Sequence, residues 1–306
     1  MTPAGLYVPL ITPFTTAGAL ATDVLESLAH NVIDDGATGI VALGTTAESA
    51  TLTEDERRTV LDVCARVCRE RGGTLIAGAG SNDTASSVRE LRDLANWPAI
   101  TAALTIVPYF TRPSEDGVVA HFTRLAAESP VPLLVYNIPC RTGRTLGLAT
   151  LRRLAELPGI VGMKHAVGGI DEDTIRFLAD LPAGFAVLAG DDLYASPLLA
   201  LGAAGGILAS AHLCTRQFAD LIARWQAGDI ERARALGHLT AALSATLFAE
   251  PNPTVIKATL HAQGRIPSPA VRLPLLAARP EATEAALRQV DELVGRTCVN
   301  PGPGQG

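Results

Sequence analysis

The chain has 306 residues, is 48% hydrophobic and 18% charged, and carries a formal net charge of −6. Its size allows one large α/β domain or two smaller ones, and the acidic balance offers no basic surplus to neutralise nucleic-acid phosphates. Five cysteines (Cys64, Cys68, Cys140, Cys214 and Cys298) form an odd and sparse set, so no disulfide framework is implied.

The N-terminal stretch MTPAGLYVPLITPF has no basic leader followed by an apolar core, so a reducing cytoplasmic location is expected. Strand-like segments run at 6–14, 39–44, 74–80 and 100–108, then at 132–138, 160–166, 185–191 and 205–210. Helical periodicity fills the intervals. In the helix that begins near residue 54, Thr53 stands three residues before Glu56, which predicts a capping box, and Gly72 and Gly73 end the helix. Cys64 and Cys68 lie one turn apart on it. No second Cys or His pair accompanies them, so they read as small apolar residues on a helix face rather than metal ligands. The Gly78–Gly80 pair after the third strand lacks the third glycine of a dinucleotide fingerprint, where Asp83 stands. The apolar run at 195–213 contains Pro197 and adjacent glycines, and reads as helix, turn and strand rather than a membrane span.

Strands recurring at intervals of roughly 25 to 35 residues, each followed by a helix, predict a (β/α)8 barrel. The barrel is expected over residues 1–226, with a helical extension at 227–296 and a disordered Pro/Gly-rich tail at 297–306. An open doubly wound sheet is the structural alternative.

Barrel chemistry sits at the C-terminal ends of the strands. Thr45 and Thr46 follow the second strand, Tyr136 and Arg141 end the fifth, and Lys164 lies in the apolar sixth, IVGMKHA. Side-chain alternation puts Ile160, Gly162 and Lys164 on one face, and Leu134 and Tyr136 on one face of the neighbouring strand. With strands about 4.8 Å apart, Tyr136 and Lys164 would meet at the barrel mouth. An apolar pocket favours the neutral form of an amine, which is then a nucleophile toward carbonyls. The Schiff base so formed gives an enamine able to attack an aldehyde, with Tyr136 and the threonines handling protons. Threonine hydroxyls suit one substrate carboxylate, and the fork of Arg141 a second. A solvated lysine, a core tyrosine and threonines that merely cap a turn are the plainer readings; convergence on one barrel face decides against them. His165 should face away from Lys164, and the six histidines show no metal-ligand spacing.

Together the motifs GTTAESATLTEDE, IAGAGSNDT, TIVPYFTRPSEDG, VYNIPCRTG, IVGMKHA, AGDD and AEPNP resemble the pyruvate-dependent class I aldolases typified by dihydrodipicolinate synthase and N-acetylneuraminate lyase. The resemblance runs from about residue 4 to 296. It implies a (β/α)8 barrel with a C-terminal helical extension, usually a tetramer of two tight dimers. It also implies no cofactor beyond a covalent pyruvate imine on Lys164. By motif, Tyr136 matches the adjacent proton-handling tyrosine, Thr45 the hydroxyl relay and Thr46 the holder of the pyruvate carboxylate. Gly190 and Ile207 match backbone positions lining that site. Arg141, in the YNxPxRTG form typical of dihydrodipicolinate synthases, implies aspartate semialdehyde as acceptor, and so the first committed step toward diaminopimelate and lysine. The partners expected are therefore small molecules and further copies of the chain, with no nucleic acid and no membrane.

Three positions depart from the synthase pattern. Phe110 replaces the second relay tyrosine, which in those enzymes reaches across the tight dimer. Ala47 replaces a glycine next to the threonines, and His165 replaces an acidic residue after the lysine. Phe110 favours a different aldehyde or 2-oxo acid substrate within the same superfamily. A catalytically impaired paralogue that binds pyruvate-like acids is the rival from another class, opposed by retention of Lys164, Tyr136 and both threonines. A dinucleotide-dependent oxidoreductase is opposed by the incomplete fingerprint. In the lysine-feedback region Ser49, Ala50, Asn82 and Tyr109 match the family, whereas Ser86 replaces a glutamate, and Glu54 and Arg57 replace histidines seen in some members. Weak or absent inhibition by lysine is therefore expected; strong inhibition in a lysine titration would contradict it.

Overall fold

The eight apolar runs pair in chain order, all parallel, and the last closes on the first. The computed structural model describes residues 2–298. Its strands are β1 (Gly5–Pro9), β2 (Gly39–Ala42), β3 (Thr74–Gly78), β4 (Ile100–Ile106), β5 (Leu133–Asn137), β6 (Ile160–His165), β7 (Ala186–Ala189) and β8 (Gly205–Ile207). Between them run α1 (Thr22–Asp34), α2 (Glu54–Arg71), α3 (Thr84–Asp93), α4 (Glu115–Glu128), α5 (Pro139–Thr142), α6 (Leu148–Ala155), α7 (Glu172–Leu178) and α8 (Ala195–Ala200). The helices α9 (Thr215–Ala227), α10 (Ile230–Leu247), α11 (Thr254–Ala262) and α12 (Pro280–Cys298) follow the last strand. This is the (β/α)8 barrel expected, and the open sheet is excluded by closure. Helix α12 extends two residues into the stretch expected as tail; residues 299–306 lie outside the described ones.

Parallel strands covered by helices bury both faces, and two apolar cores result. The inner one, which fills the barrel, gathers Tyr7, Val41, Ile76, Leu134, Leu188 and Ile207. A larger one lies between barrel and helices and includes the helix residues Leu25, Val60, Phe122, Leu154 and Phe218. Helix α2 starts as predicted: the Thr53 hydroxyl accepts from the Glu56 backbone, the Glu56 carboxylate accepts from the Thr53 backbone, and Gly72 closes the helix at φ 68°. Cys64 and Cys68 belong to the outer core, where burial pushes the Cys68 thiol up to about 11. The run at 195–213 is indeed helix, turn and strand, and no helix among the described residues is long and apolar enough to cross a membrane.

Several strands stop earlier than hydropathy implies. Leu43 adopts φ 56°, a conformation no strand carries, so β2 ends at Ala42. A 3-10 turn at Ala209–His212 shortens β8 in the same way. Strand β6 holds the one correction that bears on the site. Its pairing with β5 skips a residue, from Leu133↔Ile160 to Leu134↔Gly162, so Val161 is an extra residue. Ile160 therefore joins the outer core, whereas Val161 packs against the inner one. Simple alternation wrongly put Ile160 on the face of Lys164, because a bulge reverses parity for everything upstream of it.

Candidate active site

Beyond the bulge the register is regular, with Tyr136 opposite Lys164 and Asn137 opposite His165. Both Tyr136 and Lys164 are 6% exposed, and the Lys164 Nζ lies 4.4 Å from the centroid of the Tyr136 ring. Ala166, two residues past Lys164, belongs to the inner core, so the amine sits on the inner face of the sheet near its C-terminal rim. A Cβ on Gly190 would fall 2.8 Å from the Lys164 Cγ and 3.0 Å from its Cε. Only glycine leaves room for the lysine shaft there. Ile207 is fully buried in the inner core with Tyr136.

His165 faces the other way, as expected. Its ring is 2.9 Å from the Thr174 hydroxyl on α7 and 3.5 Å from the Asn137 amide. Burial lowers its pKa to about 4, so it is a neutral structural group at neutral pH.

After β2 the chain forms a 3-10 turn at Thr45–Ala47, ending at Glu48 in the left-handed region (φ 53°, ψ 35°). Thr46 is buried, and its hydroxyl accepts a 2.9 Å hydrogen bond from the Asn252 Nδ2. Thr45 is half-buried and faces a cavity of about 730 Å3 that Tyr136, Arg141, Tyr109 and Asn252 also line. Lys164, Thr46, Gly190 and Ile207 do not line that cavity; Lys164 lies beside its Tyr136 wall. Arg141, exposed on the short helix α5, presents its guanidinium to the cavity without an ion-pair partner among the described residues.

Two carboxylates near Lys164 were not singled out as site residues from the sequence, although AGDD contains both. Asp192 is 4% exposed, and burial pushes its carboxyl up to about 6 against a 2.6 Å hydrogen bond from the Ser210 backbone N–H. Burial also raises Asp191, whose carboxylate accepts from the Gly168 N–H at 2.6 Å and is opposed in this by the charges of Lys164 and Arg141. Asn252 was likewise missed, its only signal being the AEPNP motif.

Other sequence features resolve locally. A Cβ on Gly78 would meet the Leu43 carbonyl oxygen at 2.3 Å, which explains that glycine by close backbone approach rather than by phosphate binding. Arg57 and Glu90 pair at 3.5 Å beside the cavity, Glu90 also accepting from the Gly80 N–H at 2.9 Å. Phe110 is 87% exposed on a left-handed backbone (φ 68°), with Tyr109 beside it and Leu273 and Leu276 also exposed.

A closed β/α barrel with an amine and a phenol in register at its C-terminal rim, beside a cavity lined by a guanidinium, has the layout of a lysine-dependent aldolase. The chain belongs to the dihydrodipicolinate synthetase family, whose model matches residues 2–293. It is 38% identical over 287 residues to the 4-hydroxy-tetrahydrodipicolinate synthase of Moorella thermoacetica, covering 93% of this chain and 97% of that one. The structure of the synthase from Methylacidiphilum fumariolicum superposes with a TM-score of 0.90 at 32% identity, covering 96% of this chain and 98% of the other. A monomeric dihydrodipicolinate synthase variant superposes with a TM-score of 0.90 at 28% identity, covering 95% and 97%. The family's enzymes are carbon–carbon lyases, in line with the resemblance drawn from the motifs.

The Gly190 contact yields a test. Gly190→Ala is expected to destabilise the fold by about 1–3 kcal/mol through overpacking and to displace Lys164. Denaturant unfolding and turnover measured together check this; wild-type values of both would contradict it.

Proposed function

We propose that the protein condenses pyruvate with L-aspartate 4-semialdehyde to give 4-hydroxy-tetrahydrodipicolinate, with Lys164 as nucleophile. The observation that carries this reading is the in-register pairing of Lys164 with Tyr136 at the barrel rim. The Lys164 amine adds to C2 of pyruvate and water leaves, giving an imine. Loss of a C3 proton converts it to an enamine, which attacks the aldehyde carbon and forms the new C–C bond. The aldol oxygen takes up a proton. The amino group of the semialdehyde portion then attacks C2, closing the ring and releasing Lys164.

In this reading Tyr136 and Thr45 move protons beside the imine, and Thr46 holds the pyruvate carboxylate, with Gly190 and Ile207 shaping that site. Arg141 takes the acceptor carboxylate in a bidentate grip. In this reading the covalent imine on Lys164 carries the chemistry and no metal takes part. A cytoplasmic site of action accords with the free thiols of Cys64, Cys68, Cys140 and Cys214. The exposed Phe110, Tyr109, Leu273 and Leu276 support assembly with a further copy of the chain.

Borohydride reduction in the presence of pyruvate should leave a reduced pyruvate adduct on Lys164, read by peptide mass analysis. An unmodified Lys164 would overturn the mechanism.

The absence of a hydroxyl on Phe110 favours a second reading, in which the acceptor is another aldehyde. Phe110→Tyr separates the two: greatly increased turnover of aspartate semialdehyde is expected if the relay is degraded. No change, together with faster turnover of another aldehyde in a substrate panel, would establish a different acceptor.

A further inference from the structure

The turn that carries Thr45 and Thr46 is held at Thr46, Ala47 and Glu48, by Thr12 after β1 and by residues that follow the last strand. The Asn252 Nδ2 donates to the Thr46 hydroxyl at 2.9 Å. The Ala47 carbonyl accepts from the Thr12 hydroxyl at 2.7 Å. The Glu48 carboxylate accepts from the Lys257 Nζ at 2.8 Å and from the Arg272 backbone N–H at 2.7 Å. Lys257 closes the ring by donating also to the Thr12 carbonyl at 3.0 Å, and its Nζ lies 4.1 Å from the centroid of the Phe14 ring. Arg272 lies over the same ring and pairs with both oxygens of Glu56, the capping-box partner of Thr53 at the start of α2. Asn252, Lys257 and Arg272 all follow the last barrel strand in the chain.

Two features separate this arrangement from ordinary packing. The side chains of Lys257 and Glu48 are 0% and 1% exposed. A fully desolvated ion pair is seldom a net source of stability, since apolar residues of the same volume do as well or better. Here the pair ties Glu48 to the extension at 2.8 Å. Glu48 needs such a tie: a non-glycine residue in the left-handed region is disfavoured unless its surroundings hold it. The second feature is the direction of the Asn252 bond. Because the Thr46 oxygen accepts there, its own proton is left to donate, and no acceptor among the described residues takes it.

We propose that Lys257 and Asn252 are positioning residues, which lock the Thr45–Glu48 turn and aim the Thr46 hydroxyl as a donor toward the substrate carboxylate. The inference rests on the reading of Thr46 as the holder of that carboxylate. It makes the helical extension part of the pyruvate site's machinery, acting without touching the reacting atoms.

Three variants test it: Lys257→Met, the neutral double variant Glu48→Gln/Lys257→Met, and Asn252→Ala, which breaks no ion pair. Borohydride trapping at Lys164 is titrated with pyruvate, steady-state KM is measured for both substrates, and thermal unfolding is followed in parallel. Lys257→Met strands a buried carboxylate and should lower Tm, whereas the double variant should recover it. In every variant that folds, half-saturating pyruvate should rise on the order of tenfold, the loss from weakening one charge-assisted hydrogen bond, while acceptor KM stays within about twofold. Wild-type pyruvate half-saturation in the double variant or in Asn252→Ala would overturn the proposal. So would an equal change in both KM values, or a fall in kcat alone, since either marks a purely structural role. Failure to trap pyruvate in the wild-type protein is a separate outcome: it removes the carboxylate reading on which the proposal stands, and the proposal with it.

Discussion

Everything at the barrel mouth depends on Lys164 lying opposite Tyr136 on the inner face of a closed parallel sheet. Closure fixes the relative height of all eight strands, so no strand can slide without breaking the ladder on both its sides. The amine and the phenol are thereby held by backbone hydrogen bonds on β5 and β6 rather than by contacts of their own. Gly190 then clears the space the lysine shaft needs, and its N–H is itself bound to the His165 carbonyl, the residue after the lysine. The height and facing of the amine are therefore set by main chain, the least mutable part of the structure.

A second constraint is electrostatic. Carboxylates that follow β2 and β7 lie at the mouth, each in its own setting. Glu48 is paired with Lys257, Asp192 is held by the Ser210 N–H and raised by burial, and Asp191 accepts from Gly168. In contrast, Arg141 lines the cavity with no ion-pair partner among the described residues. In the proposed reading, such a surface keeps its carboxylates satisfied and offers Arg141 to an incoming anion.

Most of this fold was legible because its signals are local. Strand hydrophobicity, helix periodicity and the Thr53–Glu56 cap depend on neighbours within a few residues, and all eight strands emerged from them. Lys164 stood out because a cation in an apolar strand conflicts with its setting. The bulge at Val161 was illegible because it arises from pairing between strands, which leaves no mark on β6 alone. Asn252 and Lys257 were missed for the same reason. They lie 206 and 209 residues from their partners Thr46 and Glu48, and Lys257 reads in sequence as an ordinary helical lysine. Polar contacts across such separations become visible only once the chain has closed.

The extra residue in β6 also divides the strand by its tolerance to changes in length. Upstream of Gly162, the ladder already accommodates one residue more than its partner supplies. Removing Val161 would turn the bulge into a regular ladder and leave Leu134 opposite Gly162, with Lys164 still facing inward. Removing one residue between Gly162 and Lys164 would instead rotate the lysine outward, into the helix-facing layer now occupied by Met163 and His165. The same strand is thus an elastic joint on one side of a glycine and a fixed gauge on the other. Variation in chain length can be absorbed before Gly162, and it inverts the site after it.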